Sequence, residues 1–343
     1  MHRTPPDFES PIYTPQRISA VVATLAEDGI GAAELLAGSN LEEPALLSPQ
    51  TRVSYRQVAT VFRNAERLAP ESAFALRAGS RMHVTAYGMY GYALLSSRTG
   101  AQGLDFSVKY RRVMGPMADL SYSHEVDPSS CSLEVLLTSD PNDALYRLAL
   151  EFTFAAHLTI MRDMYGKGFD YTALQVAYPA PSYAQAYRRW LGCPVQFGHT
   201  GNALHFDAAW AERPPRLHDA VTYEMAREVC RQMLTEVHHA GGTASLVRRA
   251  LVEEMAWRLP GIETMARKLS MEPRTLRRRL ESQGTSYRQV LAEVRQGLAI
   301  EFLRKTRMTT EEIASRLGYS DAANFRHAFA RWTGKTPHEY RGT

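Results

Sequence analysis

Cysteine is nearly missing from these 343 residues: Cys131, Cys193 and Cys230 lie far apart and form no Cys-x-x-Cys pair. So sparse and odd a set argues against a disulfide frame or a zinc site and fits a reducing compartment. Long apolar runs are missing too. No stretch approaches the roughly 20 residues that a membrane-spanning helix needs, and the opening MHRTPPDFESPIYTPQR has no apolar core of the kind a signal peptide carries. A cytoplasmic location with no membrane partner is expected. Also absent are a nucleophile elbow, a Walker loop, a dinucleotide fingerprint and an HExxH pair, which removes several common hydrolase, nucleotide and zinc chemistries. The histidines are scattered: His199 and His205 flank a turn, and His238 and His239 sit at a linker. Neither a metal nor a cofactor is expected.

What is present is an uneven charge. From Leu246 onward Lys and Arg outnumber Asp and Glu by 19 to 11, whereas acidic residues lead by 25 to 21 in the rest of the chain. A basic tail on a neutral-to-acidic partner suits a polyanion, either nucleic acid or a membrane surface. The length allows two domains with a core in each.

Within the basic tail one pattern is written twice, as IETMARKLSMEPRTLRRRLE over 262–281 and as EEIASRLGYSDAANFRHAFARW over 311–332. Each begins with a short helix centred on an alanine (Ala266, Ala314) and closing on a leucine (Leu269, Leu317). The small central residue lets two helices cross closely. A tight turn follows, and Gly318 suits the left-handed conformation needed there. The second helix of each copy has apolar residues four apart, Leu276 and Leu280 or Phe325 and Phe329. With those inward, a helical wheel turns Arg274 and Arg278 outward, flanked by Thr275 and Arg277. In the second copy it exposes Ala323 and His327, flanked by Asn324, Arg326 and Arg331. Arginine forks suit guanine edges and phosphates, and asparagine suits adenine. A solvated basic face is the plain reading of either copy alone; the duplication favours double-stranded DNA as the partner. Between the copies, residues 286–304 read as one helix, with a capping box at Ser286 and Gln289 and an apolar stripe of Val290, Val294, Leu298 and Phe302.

PRTLRRRL, GTSYRQVLAEVR and EIASRLGYSDAANFRHAFARWTGKTPHEYR, in that order, resemble the DNA-binding domain of the AraC/XylS family of bacterial transcription regulators. The resemblance covers residues 244–341 and implies two helix-turn-helix motifs joined by a long linker helix, binding promoter DNA. Ser270 stands where the family usually has glycine, and Glu272 where a capping serine is usual before Pro273. A weaker start to that helix is expected. Some AraC-like domains are fused to alkylation-repair modules with an acceptor cysteine in a Pro-Cys-His-Arg setting. Cys193 in Gly-Cys-Pro-Val and Cys131 in Ser-Cys-Ser do not match it, so no enzyme is expected.

The N-terminal part reads as helices broken near Asp28 and Gly29, a helix over 54–68, and another over 102–110. A hairpin of 119–125 and 132–138 is expected, turning at Asp127, Pro128, Ser129 and Ser130. A buried helix over 143–165, a strand over 173–178, a helix over 182–191 and strand-like residues 195–206 turning at Gly201 and Asn202 complete an α+β domain with an antiparallel sheet. In 217–238 the apolar residues Val221, Met225, Val229, Met233 and Val237 recur four apart. That spacing drifts against the helical period, favouring an interdomain helix over a long coiled coil; a homodimer through it stays open. The expected division is an α+β effector-binding domain over 1–215, an interdomain helix and linker over 216–243, and the all-α DNA-binding domain over 244–343.

His157 lies on the buried helix, as a hydrogen-bonded core residue or a wall of an effector pocket. The aromatic set Tyr87, Tyr90, Tyr92, Phe106 and Tyr110 leaves the same choice between packing and cavity lining. The order of helix 143–165, YPAP, helix 183–190 and VQFG resembles the N-terminal domain, called arabinose-binding by name only, of the family branch of the ornithine-utilisation regulator. That resemblance implies a sensor of unnamed ligand, and with it an effector-responsive activator that engages RNA polymerase. Control by a partner protein or by dimerisation, without a small molecule, is the alternative.

Overall fold

The structure, a computed structural model, describes residues 8–70, 72–123, 127–240, 242–253, 260–283, 285–306 and 308–341. They form two compact units, Phe8–Val237 and a second beginning at His238. No helix among the described residues is long and apolar enough to cross a membrane.

The first unit opens with α1 (Gln16–Ala26) and α2 (Ala32–Leu36), parted at the Asp28-Gly29 break. α3 (Tyr55–Leu68) starts at a capping box: Ser54 Oγ accepts from the Gln57 amide, and Gln57 Oε1 accepts from the Ser54 amide. Two of the donors that a helix start leaves open are thereby met. Its Val58, Val61, Phe62 and Ala65 are buried, as their spacing predicts. α4 (Phe74–Ser80), α5 (Gly88–Ser96) and α6 (Gly100–Tyr110) follow. α5 escapes the periodicity, because its glycines and tyrosines form no apolar stripe. Burial of Tyr90, Ala93 and Leu94 holds it instead.

The central element is α7 (Ala144–Tyr165), begun by Asp143, whose carboxylate accepts from the Leu145 amide. It buries Leu148, Leu150, Phe152 and Phe154 on different sides, as a helix surrounded by protein must. Each such side chain contributes about 1.5–3 kcal/mol. α4 crosses it at Gly79, where a Cβ would fall 2.4 Å from the Phe152 carbonyl oxygen. Only glycine permits that approach.

The strands are β1 (Ala118–Ser123), β2 (Asp127–Val135), β3 (Tyr171–Gln175), β4 (Val195–Gln196) and β5 (Asn202–Phe206), in the order β1-β2-β5-β3-β4. Three expectations change here. Asp127, Pro128, Ser129 and Ser130 belong to β2, and residues 124–126 lie outside the described residues. β4 pairs parallel with β3, so the sheet is mixed and not wholly antiparallel. Asn202 does not turn a hairpin. It is buried inside β5, where its Oδ1 accepts from the Ala177 amide and its Nδ2 donates to the Leu133 carbonyl and the Tyr146 hydroxyl. A side chain that stitches three segments together looks, in sequence, like a loop residue.

α7 also carries Glu151, fully buried, whose Oε1 accepts from Tyr183 at 2.7 Å and Tyr187 at 2.5 Å. Arg147 stands one turn away at 3.7 Å. Burial outweighs these partners and pushes the carboxyl up to about 7. α8 (Gln185–Leu191) supplies Tyr187, and α9 (Ala209–Glu212) follows. α10 (Ala220–Ala240) packs on this core through Tyr223, Ala226 and Cys230. Of the stripe, Val221, Met225 and Val229 are exposed, Met225 being 65% accessible, whereas Met233 and Val237 are half-buried and Met233 packs on the core.

The second unit is helical: α11 (Gly242–Glu253), α12 (Ile262–Lys268), α13 (Pro273–Glu281), α14 (Tyr287–Lys305), α15 (Thr310–Arg316), α16 (Ala322–Thr333) and α17 (Pro337–Arg341). It has its own apolar core, to which α14 gives Val290, Val294, Leu298 and Phe302. Ser286 caps α14 by accepting from the Gln289 amide, but its hydroxyl donates to Gln289 Oε1. That contact stands where the box would have placed the reciprocal backbone bond.

Candidate DNA-reading surface and sensor cavity

The helix pairs α12–α13 and α15–α16 turn in the same way. After α12 the Leu269 amide donates to the Met265 carbonyl, Ser270 takes φ 54°, and the Met271 amide reaches back to the Ala266 carbonyl at 2.8 Å. After α15 the Leu317 amide donates to Ile313, Gly318 takes φ 76°, and the Tyr319 amide donates to the Ala314 carbonyl at 2.9 Å. The two alanines are buried at the centres of these crossings.

α13 turns Leu276 and Leu280 into the core and leaves Arg274, Arg277, Arg278 and Arg279 exposed, with Thr275 half-buried. Arg277 reaches Glu263 at 3.6 Å. Among the described residues Arg274 and Arg278 make no ion pair or hydrogen bond, so both forks are available to an anion. α16 buries Phe325 and Phe329 and exposes Ala323, Asn324, Arg326, His327 and Arg331. Asn324 is engaged locally, its Nδ2 donating to Ser320 Oγ at 2.9 Å and Asp321 Oδ2 at 2.8 Å. Reading adenine with it would require that amide to be released.

Two residues escaped the sequence reading. Arg279 is exposed beside Arg278, and its run of neighbouring arginines was the signal available. Arg295 on α14 is half-buried and donates from Nε to the Leu317 carbonyl at 2.8 Å, with its guanidinium 4.9 Å from the Tyr319 ring centre. It thus caps α15 from the helix that lies between the pairs. Nothing in its spacing marks it, since the contact is made across the fold. At the other end Tyr287 donates to the Pro260 carbonyl, and Glu293 pairs with Arg248 of α11.

The N-terminal unit holds a partly open cavity of about 130 Å³ between α5, α6, α7 and β1. Tyr87 and Tyr90 line it, Phe106 and Tyr110 are buried core, and Tyr92 is exposed. His157 is at once a bonded core histidine and a wall of the cavity. The Tyr171 hydroxyl donates to the Phe154 carbonyl, so it accepts from His157 Nδ1–H at 2.8 Å. Nε2 is left as an acceptor, and burial pushes the imidazole down to about 4, keeping it neutral.

Residues 29–215 match the family described as the arabinose-binding domain of AraC transcription regulator, N-terminal, and residues 265–343 match a helix-turn-helix domain. The chain is 32% identical to the ornithine utilization regulator of Pseudomonas aeruginosa, over 99% of both chains. It is 28% identical to the transcriptional regulator VqsM of the same species, over 78% of this chain and 83% of that one. The crystal structure of the transcriptional regulator CdpR, also from P. aeruginosa, aligns with a TM-score of 0.44 at 24% identity, covering 96% of this chain and 98% of the other. With both of its parts matched, the chain belongs to the AraC family of helix-turn-helix transcription regulators and is not an enzyme.

Proposed function

We propose that the protein is a sequence-specific, effector-controlled regulator that activates transcription from the cytoplasm, with α13 and α16 as its two reading helices. The observation carrying this is the repeated turn, Ser270 with Met271–Ala266 and Gly318 with Tyr319–Ala314, each presenting an exposed basic helix. α14, with 19 residues, spans roughly 28 Å at helical rise. A spacer of that length suits neighbouring major grooves on one face of B-DNA, about 34 Å apart. Arg274, Thr275, Arg277 and Arg278 would serve one half-site, and Ala323, Asn324, Arg326, His327 and Arg331 the other. Footprinting of the full chain on its own promoter region should show two protected patches about one helical turn apart. A single patch, or none, would overturn the reading.

The cavity in the N-terminal unit favours a small-molecule effector over control by a partner protein alone. Such a ligand shifts the DNA-competent population only by its differential affinity for the two states. RNA polymerase is the expected partner at the promoter, and self-association through the exposed stripe of α10 is the second arrangement to test, by sedimentation. The name of the P. aeruginosa relative brings ornithine into consideration. No Asp or Glu is found among the described residues lining the cavity, so nothing there would pair with two ammonium groups. Thermal-shift screening against amino acids, fatty acids and sugars tests effector control, because a ligand of the folded state raises Tm. A screen without any shift would favour the partner-protein alternative.

A further inference from the structure

Among the described residues, the cavity wall contains a charge without a counter-charge. Arg17, on α1, is only 7% exposed, and its sole hydrogen bond among the described residues runs from Nη1 to the Met114 carbonyl at 2.6 Å. It has no ion pair there. The other arginine on the wall, Arg111, is already matched by Asp119. A buried cation with no carboxylate beside it is costly, and an anion placed there would relieve that cost. A guanidinium also offers the fork that a carboxylate fills with two parallel bonds.

The rest of the lining specifies what such an anion would be attached to. Leu94, Leu104, Phe152 and Ile160 are apolar, and Met114, Met117, Met161 and Met164 add flexible thioethers able to repack around guests of different shape. The Tyr165 hydroxyl is another polar group on the wall, buried and without a partner among the described residues. Burial pushes its phenol up to about 12, so it keeps its proton and can donate. His157, also on the wall, adds an acceptor in its Nε2.

The geometry points to a small monocarboxylate with an apolar body as the effector, its carboxylate held by Arg17 and its body lying among the methionines of α7 and the segment after α6. A space of about 130 Å³ is close to the size that accepts a benzene ring, so the body has roughly six to eight carbons. This inference rests on the effector-controlled reading, but its failure can be told apart from the failure of that reading.

The test uses the full chain and two acids, octanoate and phenylacetate, against their neutral counterparts octan-1-ol and phenylacetamide, with a diamino acid as a further arm. Calorimetric titration should show the acids binding at least tenfold more tightly than the neutral pair, and the diamino acid not binding. Arg17→Met should abolish the preference for acids, while Arg17→Lys, which keeps the charge and loses the fork, should retain part of it. Equal affinity for acid and neutral compound, an undiminished preference in Arg17→Met, or no binding by either acid would overturn the proposal. Should Arg17→Met fail to fold, the unmutated chain decides by its methionine methyl resonances. Shifts at Met114, Met117, Met161 and Met164 with the acids alone support the site, and their absence sinks it. Footprinting with and without acid separates the two readings. An acid that binds yet leaves DNA occupancy unchanged keeps the site and removes effector control. Two protected patches without any acid binding remove only the site.

Discussion

The two helix pairs of the C-terminal unit fold alike on unequal local support. In the second pair, Thr309 and Glu312 form a capping box at the start of α15, Gly318 takes the left-handed position, and Asp321 caps α16 by accepting from the Asn324 amide. In the first pair, Gly261 and Glu272 make no side-chain cap, and Ser270 holds the left-handed position at φ 54°. Pro273, suited to a first helical turn, is the favourable start signal that remains. The difference teaches that this turn is imposed by tertiary packing, here by the buried Ala266, Leu276 and Leu280, and that local chemistry only tunes its stability. Amides of α13 should therefore exchange hydrogen faster than those of α16.

The comparison is broken most severely at Arg295, which serves the second pair alone. Arg295→Met removes a charge-assisted bond to the Leu317 carbonyl, worth about 1.5–3 kcal/mol. Hydrogen exchange should accelerate in α15 and α16 and stay unchanged in α12 and α13. Next comes the reading itself. Arg278→Ala should weaken operator binding by about 1–3 kcal/mol and relax preference at one base position, as read by titrating single-base operator variants. Uniform loss across all variants would make Arg278 a phosphate contact instead.

Capping effects are smaller. Asp321→Ala should cost about 1 kcal/mol in the protection of α16, and Glu272→Ser should return part of that amount to α13. Together the two changes should bring the pairs together or reverse their order. Smallest is the turn residue. Left-handed backbone costs a side-chain-bearing residue roughly 1–2 kcal/mol, offset in part by the entropy a glycine gains in the unfolded chain. Ser270→Gly should thus stabilise the first pair by less than about 1 kcal/mol, with Gly318→Ser moving the second the other way. Changes of the same sign in denaturation of the two variants would refute the shared turn geometry.

Much of the C-terminal unit was legible because its signals are local. The central alanines, the leucine and phenylalanine pairs and the outward arginines all follow from a period of 3.6. What escaped there, Arg295 above all, acts between elements distant in sequence. The N-terminal unit was harder for the same reason. Asn202 next to glycine reads as a turn until its three cross-fold hydrogen bonds are seen, and β4 pairs parallel to β3 because of a connection that no alternation pattern records. On α10 the first three residues of the stripe chosen by spacing proved exposed, since Tyr223, Ala226 and Cys230 were better placed to meet the core. The aromatic residues and His157 were noticed, but only the fold divides them between packing and cavity wall. Arg17 gave no signal, being one arginine on an ordinary helix.

The buried carboxyl of Glu151 makes folding of the N-terminal unit a proton-uptake reaction near neutrality. An unfolded glutamate releases its proton around 4.5, while the folded one holds it to about 7. Across that interval the native chain carries the extra proton, so its advantage is complete below 4.5 and drains away as the medium turns alkaline through 7. Calorimetry in buffers of differing ionisation heat would register this uptake, and Glu151→Gln should silence it.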